Sequence, residues 1–359
     1  MTGRRSFADL TLADLAALHP PGAPAPLLRK LHQVARWDDA GPVLGKALRA
    51  FVERELDLSL PKIRSQHRSA DGATKLLLEL DDGKTIETVH MPRAVKNPRV
   101  TICLSSQVGC GMGCTFCRTA AMGLVRNLRP DEIVGQVLTT ILALGPDDPG
   151  RISLVFMGMG EPLHNVDAVT RALDVLCDEA GLGLAPMRIT VSTSGLVGGI
   201  RALAKAKRRP CLALSLNATT ESSRRSIMPI AKNNSLAELR EALLEYPVRP
   251  HEKITLEYVL LEGVNDTRED AARIAAFAEG YRSVVNVIPW NPFGASERPA
   301  FARPSDDAAR TFTSWLHGAG CLVTMRRSRG RDVAGACGQL ATESSRVRRV
   351  STREKPALG

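Results

Sequence analysis

Cys110, Cys114 and Cys117 stand in the spacing C-x-x-x-C-x-x-C within a glycine-rich stretch running from Gly109 to Cys117. Three thiolates fall one short of the four-cysteine shell of an ordinary iron–sulfur cluster, so a [4Fe-4S] cubane held here keeps one iron without a protein ligand. An open metal position is where a metal centre does chemistry, so the chain must fold around a reactive corner. Zinc is the alternative, but a structural zinc site takes four ligands in two close pairs, and the nearest fourth candidate is Cys103. Ferredoxin runs use C-x-x-C-x-x-C, which the wider first gap breaks. A chance trio of core cysteines would not need Gly109, Gly111 and Gly113 around it, because glycine is selected where backbone approaches something closely.

From about residue 99 short apolar runs alternate with stretches of helical period, the signature of βα units around a parallel sheet. Strands are predicted at Val100–Leu104, Ile152–Met157, Arg188–Ser192, Leu212–Leu216, Ile254–Leu261, Val284–Ile288 and Leu322–Met325. Pro130 in a first-turn position, Asp131 and Glu132 behind it, and Gly145 beyond the last turn predict a helix. Its Ile133, Val134, Val137, Leu138, Ile141 and Leu142 share one face. A second helix is expected over Asn165–Ala180, stopped by Gly181. Residues 1–95 read as a separate α+β accessory domain, helical around Leu27, Leu28, Leu31 and Val34. Its hairpin spans Lys75 to Met91, with Leu76, Leu78 and Leu80 alternating before the turn Asp81-Asp82-Gly83. Residues 96–332 then form the core, 333–345 a loop carrying Cys337, and 346–359 a mobile basic tail with Arg346, Arg348, Arg349 and Arg353.

A length of 359 residues and a 44% hydrophobic fraction suit one large α/β domain with a smaller appendage. A net charge of +10 favours an anionic partner, nucleic acid first, over a merely basic surface. Asp9, Asp14, His19 and two prolines break up the apolar pieces of the N-terminal stretch, which excludes a secretion signal or membrane span and points to the cytoplasm. In that reducing compartment cysteines are read as metal or catalytic thiols before disulfides. Cys177, Cys211 and Cys321 have apolar neighbours and read as plain core cysteines.

Polar residues just past each apolar run are the next candidates, since a βα barrel gathers its chemistry at the carboxyl ends of its strands. They are Gly158-Met159-Gly160-Glu161-Pro162, Ser192-Thr193-Ser194-Gly195, Ser215-Leu216-Asn217 and Asn291-Pro292-Phe293. Any one is compatible with a turn or helix cap; four together point to a polar ligand on one face.

The cysteine spacing, with Phe116 before the last cysteine, resembles the radical S-adenosylmethionine enzymes. The segments CLSSQVGC (103–110), MGMGEPLHN (157–165), IPWNPF (288–293) and GACGQL (335–340) are similar to one branch of them, the RlmN and Cfr RNA methyltransferases. Glu161-Pro162 and the run Asn286 to Phe293 look more like the RlmN side. The resemblance implies an α/β fold, a partial (β/α)6 radical-SAM barrel, with one [4Fe-4S] cluster per chain. It implies two S-adenosylmethionine molecules per turnover, the cofactor being contacted by Gly160, Glu161, Ser192, Ser215, Leu216, Asn217 and Asn291. Asn217 stands where many relatives have histidine.

Adenine carbons that bear hydrogen are poor nucleophiles, so their methylation needs a radical route. The resemblance implies that Cys337 is methylated first and that a radical then removes hydrogen from that methyl group, tethering the RNA to the protein. Cys103 matches the cysteine that resolves the tether through a transient Cys103–Cys337 disulfide, and Glu87 matches the base that takes the ring proton. The residues allow these roles: Gly335 and Gly338 flank Cys337 with permissive backbone, whereas Cys103 and Glu87 alone would pass for a core residue and a solvated carboxylate. The loop from Arg93 to Arg99 is expected to carry an insertion. Basic groups at Lys205, Lys207, Arg208 and Arg209, and at Arg326, Arg327, Arg329 and Arg331, suit RNA phosphates. Few aromatics favour shape recognition of a folded RNA. The implied product is adenine methylated at carbon 2 in 23S rRNA and in tRNA beside the anticodon, made by a monomer with an electron donor such as flavodoxin. The alternatives are carbon-8 methylation of rRNA, a diverged radical enzyme that has lost RNA methylation, and a cluster-bearing RNA-binding protein without turnover.

Overall fold

The computed structural model describes residues 3–38, 40–93, 98–145, 152–293, 301–326 and 328–341. Two short strands, β1 (Arg5–Ser6) and β2 (Leu56–Asp57), pair in parallel and close the ends of the N-terminal helical segment, whose main helices are Pro24–His32 and Lys46–Glu55. Three antiparallel strands follow: β3 (Lys62–Arg68), β4 (Thr74–Glu79) and β5 (Thr85–Arg93). Strand β5 pairs antiparallel with β6 (Arg99–Cys103), and a small hairpin of β7 (Gln107–Gly109) and β8 (Leu124–Asn127) brackets the cysteine loop. The remaining strands are β9 (Ile152–Phe156), β10 (Ile189–Thr193), β11 (Cys211–Ser215), β12 (Ile254–Leu260), β13 (Ser283–Pro289) and β14 (Val323–Met325).

Ten of these strands make one sheet in the order β14-β13-β12-β11-β10-β9-β6-β5-β4-β3. All pairs from β6 to β14 are parallel, so helical crossovers carry the chain between seven parallel strands, with β14 beyond the sixth. The sheet stays open at β3 and β14, which makes the barrel partial. The hairpin of the N-terminal region therefore continues the barrel sheet, and Phe7, Leu27, Leu28, Leu31 and Val34 share one apolar core with Ile133, Val137 and Leu173.

Pro130–Leu144 is helical as expected, with Gly145 at φ 64°, although Leu142 in its last turn is 49% exposed and lies off the buried face. The helix expected to reach Ala180 runs only over Val166–Leu176. Asp178 is engaged elsewhere: its carboxylate accepts from Leu12 N and Ala180 N, and its carbonyl from Gly183 N, which turns the chain early. Cys177 is buried, and Cys211 and Cys321 are partly so. The expected insertion between Arg93 and Arg99 falls on 94–97, and the basic tail on 346–359, both outside the described residues. Among the described residues no helix is long and apolar enough to cross a membrane.

Where antiparallel meets parallel, Gln136 ties the sheet to the helix above it. Thr88 Oγ1 and Ser105 N donate to its Oε1 at 2.8 and 2.9 Å, and its Nε2 donates to Ser105 O at 2.9 Å. Gln136→Leu leaves three buried polar groups without partners, so the urea-unfolding free energy of the metal-free protein should drop by about 2–4 kcal/mol. A change below about 1 kcal/mol would contradict this role.

After β14 the chain crosses the same junction and is stitched to the β3–β4 turn. Gly330 N donates to Asp71 Oδ2 at 2.8 Å, Ser69 Oγ and Ala70 N donate to the Asp332 carboxylate, and Arg329 donates to Pro92 O and Asp71 O. Partial burial raises the Asp71 pKa, but the donors at Ala73, Gly330, Ser69 and Arg329 outweigh it and leave the group lowered. Asp332 is lowered by Ser69 and Ala70. Depressed carboxylates stabilise the fold above their unfolded pKa and lose that contribution as pH falls through the folded value. The amides of Gly330 and Ala70 should therefore lose hydrogen-exchange protection, after correction for intrinsic rates, as pH falls from about 5 to about 3. Constant protection would show that these carboxylates do not anchor the segment.

Candidate active site

Gly109 has φ 75°, and a Cβ there would fall 1.9 Å from Gly123 O, so only glycine lets the loop turn beside β8. Cys110 N donates to Gly123 O at 2.9 Å, while Thr115 N and Oγ1 both donate to Ile227 O, at the end of helix Glu221–Ile227. Trp290 Nε1 donates to Phe116 O at 3.1 Å. These bonds bring Cys110, Cys114 and Cys117 to one cavity, which Met112 and Phe116 also line. Burial raises all three thiols, Cys110 to about 12 and Cys114 well above its usual value, with the charges of Cys117, Cys110 and Glu161 adding to the effect on Cys114.

Such thiols stay neutral at pH 7 unless a cation joins them, and a metal centre reverses that preference outright. Among the described residues no three His, Cys, Asp or Glu side chains converge to hold a single ion. A cubane takes one thiolate on each of three irons and requires no such convergence, so the donor set fits the cluster.

Most of the rest of the cavity comes from the carboxyl ends of β9 to β13. Gly160, Glu161, Ser192, Ser215, Asn217 and Asn291 line it together, whereas Leu216 does not. The Leu216 side chain is in the core, its N donates to Glu257 O, and its O accepts from Arg224. Gly160 has φ 99°, and a Cβ there would come within 2.6 Å of Gln107. Glu161 is buried, which raises its pKa, and its two oxygens accept from Leu163 N and Ser194 N at 3.0 and 2.7 Å. Asn217 adopts φ 54°, a conformation asparagine tolerates, and its amide oxygen accepts from Val259 N at 2.8 Å. Asn291 Nδ2 donates to Ser328 Oγ and Cys337 O, but its buried Oδ1 has no partner. Buried polar atoms are almost always satisfied, so an orphan acceptor on a cavity wall marks where a ligand N–H or O–H belongs. That fits a nucleoside-bearing cofactor such as S-adenosylmethionine.

Cys337 lines this cavity and also a smaller one shared with Cys103, Met157, Arg326 and Ser328. Both cysteines are free thiols. Burial pushes Cys103 up to about 12, the charge of Cys337 adds to that, and Arg326 opposes it. Gly338, at φ 82°, supplies the permissive backbone beside Cys337, and its O accepts from Arg118 N at 2.8 Å; Gly335 needs no such conformation. Glu87 lies two residues along β5 from Val89, the register partner of Cys103. It lines neither cavity. Its carboxylate is held by Lys75 Nζ at 2.9 Å and Ala341 N at 2.8 Å, and burial raises its pKa against the pull of Lys75.

Several basic residues do something other than face a substrate. Arg209 is buried, paired with Glu252 at 2.8 Å and stacked over Tyr246. Arg326 points at the thiol pair, and Arg329 is taken up by backbone carbonyls; Arg327 lies outside the described residues. Lys205, Lys207 and Arg331 are exposed. Glu257 was not singled out from the sequence, yet it lines the cavity, accepts from Asn286 Nδ2 at 2.7 Å and is raised by burial. A lone carboxylate inside the apolar run Ile254–Leu260 was the signal for it.

Residues 104–275 match the model of the Radical SAM superfamily. The dual-specificity RNA methyltransferase RlmN of Lawsonia intracellularis is 45% identical over 304 residues, covering 83% of this chain and 84% of that protein. The corresponding protein of Syntrophotalea carbinolica is 42% identical over 316 residues, 86% of this chain and 82% of its own. A radical SAM methyltransferase of Sphaerobacter thermophilus superposes with a TM-score of 0.85 at 38% identity, over 94% of this chain and 99% of that one. With a thiol-lined cavity at the strand ends and likeness along nearly the whole length, the chain belongs to the RlmN family of radical S-adenosylmethionine RNA methyltransferases.

Proposed function

We propose that the protein methylates carbon 2 of adenine in 23S rRNA and in tRNA, in the cytoplasm, with Cys337 carrying the methyl group. The observation that carries this reading is the place of Cys337 on two cavities at once, one bearing Cys110, Cys114 and Cys117, the other Cys103. The bound cluster and S-adenosylmethionine would supply the radical that an unreactive ring carbon requires. Cys110, Cys114 and Cys117 would hold the cluster; Gly160, Glu161, Ser192, Ser215, Asn217 and Asn291 would border the cofactor, and Leu216 would act through its backbone alone.

Once the methylene on Cys337 is joined to the ring and the adduct has lost one electron, which the cluster would take back, and the ring proton, attack by the Cys103 thiolate on the Cys337 sulfur forms the disulfide and breaks the sulfur–carbon bond, whose electron pair stays on the methylene carbon and takes up a proton to complete the methyl group. Glu87 would receive the ring proton. Its carboxylate is bonded to Ala341 N, so the segment carrying Cys337 must shift before Glu87 can reach RNA. Arg326, beside both thiols, favours the thiolate that attacks.

Anaerobic reconstitution with iron and sulfide, then incubation with S-adenosylmethionine and RNA fragments, should yield 2-methyladenosine by mass spectrometry. A product of 8-methyladenosine would overturn the choice of carbon. Cys337→Ala should abolish transfer while the visible cluster absorbance persists, and Cys103→Ala should leave RNA tethered to protein on a denaturing gel. Unchanged turnover by Cys337→Ala would remove the two-thiol scheme. Gly160→Ala should weaken S-adenosylmethionine binding about tenfold or more in equilibrium dialysis. Unaltered binding would place the cofactor elsewhere.

A further inference from the structure

Arg224 is 1% exposed, in helix Glu221–Ile227. Its Nη2 donates to Ser194 O at 2.6 Å and its Nε to Leu216 O at 3.3 Å, so it joins the ends of β10 and β11. Both acceptors are neutral carbonyls. No carboxylate pairs with it among the described residues, in contrast to buried Arg209 with Glu252. Glu221, on the same helix, is engaged by Leu236 N and lies 3.8 Å from Arg225. A buried charge without a counter-charge is strongly unfavourable, so something anionic belongs beside it.

The helix shows where. Its last carbonyl, at Ile227, takes both the N–H and the hydroxyl of Thr115, and Pro229 just beyond it stands 3.4 Å from where a Gly113 Cβ would be. Gly195, at φ 106°, leaves room for the guanidinium, since a Cβ there would lie 2.9 Å from Nη2. Helix and cysteine loop are thus one packed unit, and Arg224 is bonded to Ser194, which lines the same cavity as Cys114; the charges of Cys114 and of Glu221 both favour its protonated form. Glu161 acts on Cys110 and Cys114 in the opposite sense.

We propose that Arg224 is the protein's counter-charge for the iron–sulfur cluster held by Cys110, Cys114 and Cys117, and that it sets the potential at which that cluster accepts an electron. The inference rests on the cluster reading above. Three thiolates outweigh the positive charge of an oxidised cubane core, and reduction adds another negative charge. A fixed cation nearby stabilises the reduced form most, which raises the potential. Arg224 is therefore a positioning residue for charge and needs no contact with RNA.

The test is a redox titration followed by electron paramagnetic resonance on reconstituted wild type, Arg224→Lys and Arg224→Met, with iron and sulfide content measured for each. At the potential where half of the wild-type clusters are reduced, the reduced fraction of Arg224→Met should fall about threefold or more, while Arg224→Lys stays near wild type. Thermal unfolding of the cluster-free proteins supplies the second readout: without its anion Arg224 is a liability, so cluster-free Arg224→Met should be at least as stable as cluster-free wild type. Equal potentials at equal cluster content would overturn the inference, as would an Arg224→Met that is destabilised or unfolded even without the cluster. A wild type that assembles no cluster would instead remove the reading on which it rests.

Discussion

Burial of thiols in a cavity whose largely apolar walls carry a few polar groups is the interaction around which this molecule is arranged. Cys110, Cys114 and Cys117 are driven toward the neutral state by desolvation and by the charges of neighbouring thiols, Cys337 among them. Such a group is tolerable as a thiol and strongly reactive toward a cation, because a low-dielectric pocket magnifies both the penalty of a lone charge and the gain from a paired one. The surrounding elements serve that balance. Gly109 and Gly160 bring backbone close, Trp290 and helix Glu221–Ile227 grip the loop by its carbonyl and hydroxyl groups, and Arg224 contributes a buried cation.

The second feature is the seam where β5 pairs antiparallel with β6 and β6 pairs parallel with β9. Strand ends are free to present side chains there, and the seam is sealed by polar bonds: Ser105 Oγ donates to Glu87 O and accepts from Met159 N, under Gln136. Over it lies the segment from Ser328 to Ala341, tied to the β3–β4 turn, to Thr119 and Arg118 beside the cysteine loop, and to Asn291 and Pro292 after β13. Because so many separate bonds hold it, and because Ala336 and Leu340 on either side are buried, Cys337 is positioned by the whole assembly.

Much of the fold was legible because periodicity reports burial. All seven parallel strands occur within a residue or two of their expected places, since each is an apolar run; β6 and β9 to β13 are largely buried inside the sheet, while β14 at its edge leaves Thr324 and Met325 exposed. The helix at Pro130 was legible from its proline and acids, and the hairpin from Leu76, Leu78, Leu80 and Gly83. Legibility failed where a side chain's partner is remote in sequence. The early stop of helix Val166–Leu176 depends on Asp178 meeting Leu12, and Arg209 read as a surface charge until Glu252 and Tyr246 enclosed it. Glu87 read as solvated, yet Lys75 and Ala341 hold it inside.

The order of residues along the chain settled the cluster spacing, the βα repeat and the polar groups at strand ends, because each is a local pattern within one loop or one element. It could not settle which groups share a space. That Leu216 turns into the core while Asn217 faces the cavity follows from a left-handed residue at the end of β11. That Cys337 borders both Cys103 and the cysteine loop depends on contacts spanning more than two hundred residues. Distances between remote side chains arise only when the sheet closes its order and the last segment docks across it, so the charges and thiols acquire their chemistry from packing that no local pattern encodes.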